Sequence, residues 1–471
     1  MGEYKFSGVV DENKVFIINH SEITERIDPI YFKSVNELVI VKKTSNPVFK
    51  LSEVVNMKRG RFGHRPRNDP KFYNGKYPFI QTGDIVKASK KGGQIPYSQT
   101  LNELGLKTSR LFEEKAIIIT IAANIGDTAI LDYPACFPDS LIAMTPKEEG
   151  KLQLEYLNVY FKFLKNYLND LAPQAAQKNI NYQQLAPTPI VVPPIEIQKE
   201  IVTLYKNAYN SKQQKEKEAK EILANIDTYL LNELGVILPK KDNSLNKRIF
   251  NVNFSKISGS RLDSFFNKTE YFELQNALEN GKFDSLLFSK IMTDLNNGVE
   301  IRSYSNTGFR YLRVSDLGKN GINNKNAKIV DVLEIPSKIK LTYSDFLISR
   351  SGSLGLVNVV NDKVIDSILS SHIFKVSLNI ELINPYYLEA FLRSEMGQIQ
   401  FFRVNNGGVI PEINQTALKS ISIIVPTLPK QKEIAEHISK IRAKAKQLEA
   451  EAKNELEFAK QEIEQLILGN K

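Results

Sequence analysis

Cysteine occurs once in the 471 residues, at Cys136. That count excludes an internal disulfide and any zinc cage built on several thiolates, and it leaves Cys136 to be expected as an ordinary core residue. Histidine is scarce as well: His20, His64, His372 and His437 lie far apart without the spacing of metal ligands. No run of about 18 apolar residues is present to cross a bilayer. The opening stretch MGEYKFSGVVDENKVF lacks the charged-then-apolar layout of a secretory signal, and Phe6 stands where myristoylation requires Ser or Thr. The expectation is a soluble, cytoplasmic protein with no membrane association.

Catalytic signatures are missing too. There is no G-x-x-x-x-G-K-[ST] phosphate loop, no H-E-x-x-H and no G-x-S-x-G elbow, so the chain reads as non-catalytic, with no cofactor of its own. One stretch needs weighing: NPYY, Asn384 to Tyr387, is similar to the Asn/Asp-Pro-Pro-Tyr loop of amino-group DNA methyltransferases. Its third position is Tyr386 instead of proline, and no glycine-rich strand end for S-adenosylmethionine precedes it. Asn384 as a helix N-cap with Pro385 in the first turn accounts for the same residues.

What is present is ordinary globular material, 42% hydrophobic, in a chain too long for one core. A formal charge of +10 favours a polyanionic partner, with nucleic acid ahead of membrane because no basic amphipathic helix is evident.

The chain is written twice. IVVPPIEIQKEI (Ile190 to Ile201) returns as IIVPTLPKQKEI (Ile423 to Ile434), an offset of 233 that also pairs Ile180-Asn181 with Ile413-Asn414. Upstream the offset drifts, so that Arg26-Ile27-Asp28 faces Arg261-Leu262-Asp263 at 235. YPFIQTGDI (Tyr77 to Ile85) faces FRYLRVSDL (Phe309 to Leu317), and AIIITIAANIG (Ala116 to Gly126) faces FLISRSGSLG (Phe346 to Gly355). A unit of this length exceeds the periods of about 20 to 50 residues found in solenoids, so a whole domain is duplicated.

Each half has two parts. Short strands with turn punctuation, as in AIIITIAANIGDTAILDY with its Gly126-Asp127 turn, and helical stretches such as Glu155 to Leu171 predict an α/β or α+β globule without a doubly wound parallel sheet. After each Val-Pro the pattern changes. From Ile434 through Ile438, Ile441, Ala445, Leu448, Ala452, Leu456, Ala459 and Ile463 to Leu466 the apolar spacing is that of a coiled-coil seam with one stutter. Its counterpart runs from Ile201 through Leu204, Ala208, Ala219, Ile222, Ile226 and Leu230 to Leu234, with Ser211, Lys212 and Lys215 in the middle and Gly235 as the stop. Roughly 38 residues give a rod of about 57 Å.

An apolar stripe of that length needs a mate, and chain order makes the pairing of the two rods antiparallel, with the globules at opposite ends. The predicted fold is therefore α+β: a tandem repeat of two α/β globules, each followed by a long helix, the helices pairing as an antiparallel coiled coil. The predicted boundaries are 1–193 and 237–426 for the globules and 194–236 and 427–471 for the helices.

Basic residues gather in loops of the globules. MKRGRFGHRPR (Met57 to Arg67) holds Lys58, Arg59, Arg61, Arg65 and Arg67, and KASKKGG adds Lys87, Lys90 and Lys91. Lys178 joins them from AAQKNIN, and the second half offers Arg302, Arg310, Arg313, Lys319 and Arg350. Arginine presents a planar fork to guanine edges or phosphates and lysine a point charge to phosphate, so these are the candidate DNA contacts. The recurring pairs Arg26/Asp28 and Arg261/Asp263 suit structural ion pairs as well as function.

The doubled Val-Pro…Gln-Lys-Glu-Ile helix entries, the Arg-Ile/Leu-Asp openings, YPFIQTGDI, FLISRSGSLG and AAQKNIN together make the chain resemble the specificity subunits of type I restriction-modification systems over nearly its whole length. The resemblance implies that each globule is a target recognition domain for one half of a split double-stranded DNA site. It implies that the helices measure the unread gap, about 17 base pairs at roughly 3.4 Å each. It further implies two methylation subunits, which carry S-adenosylmethionine, and a restriction/translocase subunit as partners. The competing readings are a self-sufficient DNA methyltransferase or nuclease, and a coiled-coil scaffold that binds protein only. TIAANIG departs from SRSGSLG, leaving Arg350 without a basic counterpart in the first half.

Overall fold

The computed structural model describes residues 38–469 apart from 64–68, 149, 173–178, 240–243, 245–248, 260, 319–320, 324 and 344. It divides into two units, one of residues 1–214 with 451–471, the other of residues 215–450.

In the first unit a four-stranded antiparallel sheet runs in the order Val55–Arg59, Leu141–Pro146, Ala116–Thr120, Thr128–Leu131. The strand Ala116–Thr120 is buried throughout, as its unbroken apolar run requires of a strand covered on both faces. One face packs on Tyr156, Tyr160 and Leu168 of the helices Leu154–Phe163 and Lys165–Asp170. The helical stretch expected as one piece is thus two, broken at Leu164. The other face meets Ile85 and Ala88 of the helix Thr82–Lys91. A second sheet, Gln99–Leu101, Tyr73–Phe79, Ala135–Cys136, Leu111–Phe112, carries one parallel contact, Phe79 with Cys136. Cys136 is buried there, and burial pushes its thiol up.

The second unit repeats the plan. Met292–Asn297, Ile373–Leu378, Phe346–Ser349 and Val357–Val359 form the antiparallel sheet, and Phe309–Leu312 pairs in parallel with Ser367–Leu369. The likeness extends to single bonds. Gln198 is buried and donates Nε2 to the Pro193 and Lys151 carbonyls while its Oε1 accepts from the Gln153 amide. Gln431 does the same with Pro426, Leu382 and Asn384. Tyr156 O–H reaches the Val191 carbonyl and Tyr387 O–H the Ile424 carbonyl, both at 2.7 Å. Each glutamine fastens the start of a long helix to its own globule.

The long helices are Ile195–Leu234, 40 residues, and Leu428–Leu468, 41 residues. Gly235 ends the first with a positive φ of 67°, a conformation cheap only for glycine. In the second unit the tilted rings of Tyr229 and His437 meet at 4.1 Å, Glu233 pairs with Lys430 at 2.7 Å, and Ala219 packs with Ala445 and Leu448. As the first helix ascends the second descends, so they run antiparallel. In the first unit Ile201 shares a core with Ile463 and Ile467. The polar middle of the first helix is answered there: Ser211 Oγ donates to Glu455 at 2.6 Å. The end of the second helix is capped from near the start of the chain, where Thr44 Oγ1 and Asn46 Nδ2 donate to the Ile467 carbonyl and the Ser45 amide to that of Leu468.

Asn384 accepts from the Tyr386 and Tyr387 amides, and Pro385 follows in the first turn of the helix Pro385–Arg393. NPYY is a helix start.

Candidate nucleic-acid interface

Lys58 and Arg59 lie exposed at the end of the strand Val55–Arg59, and exposed Arg61 follows Gly60. Gly60 is required by crowding, since a Cβ would stand 2.3 Å from the Pro138 carbonyl oxygen. The backbone is pinned by the Arg61 amide donating to Phe137 at 3.0 Å. Arg59 Nε donates to the Asp139 carbonyl, and Arg110 Nη1 donates to the Arg59 carbonyl at 2.9 Å. Arg110, 51 residues away in sequence, thus joins the cluster and lines one cleft with Lys58, Glu113 and Glu114. The side-chain charges of Lys58 and Arg61 have no ion-pair partner shown among the described residues. Arg65, Arg67 and Lys178 fall outside the described residues, as do Arg26, Asp28 and Lys319.

Lys87, Lys90 and Lys91 occupy one helix, Thr82–Lys91. Lys87 is exposed and stands 3.8 Å from the buried carboxylate of Asp84, which caps the helix by accepting from the Gln81 amide. Lys90 and Lys91 sit in the last turn, where positive charge suits the helix dipole. Their carbonyls accept from Tyr209 and Gln213 of the first long helix. Lys91 lines a different cleft from Lys58, and the lysines expected in loops stand on a helix and a strand.

In the second unit Arg302 is exposed and paired with Glu300 at 2.7 Å. Arg310 is exposed on the strand Phe309–Leu312 and donates to the Lys363 carbonyl at 3.1 Å. Arg313 is half-buried beside Asp316, 3.6 Å away, and its amide donates to that carboxylate as Gln81 does to Asp84. Arg350 is the most committed. Its guanidinium pairs with Glu412, lies 5.5 Å over the Phe374 ring, and its backbone carbonyl accepts from Ile413. Ile121 takes the same backbone role toward Ile180 in the first unit. Arg350 therefore fastens the loop ending at Ile413, whose tip exposes Val409 and Ile410. Arg261 helps from the other side, bonded to Asp263 at 2.7 Å and to the Asn405 carbonyl at 2.9 Å.

The basic groups occur in both units at different places on the same frame. A family model described as "Type I restriction modification DNA specificity domain" matches residues 45–224 and again 294–458, more than half of the chain. The chain belongs to the type I restriction-modification specificity subunits. A curated relative, the MjaX specificity subunit assigned to a type I restriction enzyme of Methanocaldococcus jannaschii, is 25% identical over 406 residues, covering 84% of this chain and 87% of the relative. A solved structure from work on the assembly and conformational transition of the type I system has a TM-score of 0.54 at 13% identity, covering 89% of this chain and 96% of that one. It shares the fold. The S subunit from M. genitalium matches with a TM-score of 0.44 at 12% identity, over 90% and 96% of the two chains. This specificity subunit has two target recognition domains, and Lys58, Arg59, Arg61, Lys87, Lys90 and Lys91 lie within the first matched region and Arg302, Arg310, Arg313 and Arg350 within the second.

Proposed function

We propose that this specificity subunit reads a bipartite double-stranded DNA site, one half-site with each target recognition domain, and does so without catalysing any reaction itself. We take the domains as residues 1–193 and 237–426 and the helices as the element that sets the unread gap. Methylation subunits, which bring S-adenosylmethionine, and a restriction/translocase subunit join it as a cytoplasmic complex. Lys58, Arg59, Arg61, Arg65, Arg67, Lys87, Lys90, Lys91 and Lys178 serve the first half-site, and Arg302, Arg310, Arg313 and Arg350 the second. Most of these hold phosphates and a few read base edges.

The observation that carries the reading is a duplicated frame, matched bond for bond at Gln198 and Gln431, bearing unlike side chains. Ile121 against Arg350 is one such difference. A fixed scaffold with divergent loops is what an asymmetric split site requires. The test is a genome-wide map of N6-methyladenine with and without the gene. Loss of methylation at one split motif of constant gap supports the reading; an unchanged map while the complex is expressed overturns it.

A further inference from the structure

The internal repeat shows one place where the first half lacks a charge that the second half supplies. The hydrogen bonds of Gln153 and Asn384, and of Tyr156 and Tyr387, set the helices Leu154–Phe163 and Pro385–Arg393 in register at an offset of 231. In that register Asn158 answers Glu389 and Lys162 answers Arg393. Along the long helices, offset by 233, Tyr209 answers Arg442.

In the second unit a cleft of about 250 Å³, lined by Ala390, Arg393 and Arg442, stands at this position, but its charges are neutralised from within. Glu389 accepts from Arg393 at 2.9 Å and from Arg442 at 2.8 Å, with its carboxylate nearly out of solvent. In the first unit the same position is an open cleft of about 320 Å³ between the helix Leu154–Phe163 and the first long helix. Lys91, Lys162 and Lys206 line it, together with the rings of Tyr205 and Tyr209, which stack at 5.9 Å. Asn158 cannot neutralise them, and its Oδ1 already accepts from Thr128. The lining carboxylate, Glu155, is paired with Lys115 at 2.6 Å. Asp127, a carboxylate whose charge acts on Lys162, is taken by Lys165 at 2.5 Å and by Ser89 Oγ. Lys162 Nζ is left with the Ser89 carbonyl at 3.2 Å, the Ser89 hydroxyl and the Tyr205 ring. Burial lowers its pKa, with Asp127 opposing and Lys165 and Lys460 adding to the effect. A cation held this way attracts an outside anion.

We propose that this cleft receives a protein carboxylate, an Asp or Glu side chain next to an apolar or aromatic residue of the methylation subunit, seated on Lys162 between Tyr205 and the Leu154–Phe163 helix. A protein carboxylate is the occupant because that is what the second half places there. The inference rests on the proposed assembly with methylation subunits, and it makes the two halves unequal docking places: one self-neutralised, one completed by its partner.

The test uses the full chain and a type I methylation subunit from the same source. Amine-selective labelling of Lys162, read by mass spectrometry, is expected to fall at least tenfold when the complex forms. Asn158→Glu supplies the missing carboxylate internally and Lys162→Met removes the cation; each is expected to weaken capture of one methylation subunit at least tenfold in native mass spectrometry while leaving the other bound. A complex that forms with Lys162 still fully labelled, or variants that assemble like the parent, overturns this inference alone. Absence of any complex overturns the assembly reading and this inference with it.

Discussion

Gln198 and Gln431 show how much one side chain can hold. Each is buried with three hydrogen bonds to backbone groups of the Val-Pro turn and the neighbouring loop. Replacing either by alanine strands two carbonyls and one amide away from water, which costs about 2–4 kcal/mol. Denaturant unfolding of Gln198→Ala and Gln431→Ala measures it, and a loss below about 1 kcal/mol would show that the bonds are made to water as readily. Lys162 works in the opposite direction. Because burial depresses its pKa in the folded chain, the unfolded state binds more protons between the depressed value and the ordinary lysine value. Stability therefore rises with pH across that window, and the penalty is fully present below it. Lys162→Met removes the penalty, so the isolated chain is expected to melt a few degrees higher at neutral pH by calorimetry, with the increment shrinking as pH rises toward about 10. The Asn384 cap and the core position of Cys136 were legible from residue type alone, since each needs only its neighbours in sequence or its hydrophobicity. The pairing of Arg350 with Glu412 was not, because 62 residues separate them and nothing local marks the bond. Arg110 escaped for the same reason.

At the scale of elements, the long helices were legible because an apolar repeat sustained over some forty residues has no other solution, and Gly235 marks one end. The break at Leu164 was not legible: the helical pattern runs through it, and the fold decides it by turning Tyr167 and Leu168 onto the sheet core. Within the helix pair the Ser211–Glu455 bond is a polar contact in an apolar seam. Such contacts fix register at a cost in stability. The double substitution Ser211→Leu with Glu455→Leu is expected to raise unfolding stability by about 1–3 kcal/mol and to broaden the assembly states seen in sedimentation, as alternative registers become acceptable. A less stable variant with unchanged sedimentation would show that the contact is simply favourable.

For the whole molecule, the prediction concerns DNA. Replacing Lys58 and Arg61, whose charges lie exposed on the first domain, is expected to weaken specific binding by the complex about tenfold and to lower the steepness of its salt dependence by about one for each phosphate left unneutralised. Filter binding across a salt series checks this, and the methylation map should then lose fidelity at one half-site while the other stays sharp. Equal damage at both half-sites would argue against a division of labour between the domains. The duplication was the most legible feature of all, since QKEI written twice in register is visible without any structure. What each half reads stayed hidden, because loops free to diverge leave no pattern, and the 64–68 and 173–178 stretches lie outside the described residues.

The cap that Thr44, Ser45 and Asn46 place on Ile467 and Leu468 has a consequence for the order in which the molecule is made. The first unit needs residues 451–471 to be complete, so its residues up to 214 wait for a segment that follows the whole of the second unit, and the second unit, whose residues are contiguous, can close before it. Until then Ile201 and Val202 lack the cover of Ile463 and Ile467. A chain that loses residues 451–471 is therefore expected to carry its defect in the first unit, whose core is left uncovered, and to keep the second unit intact.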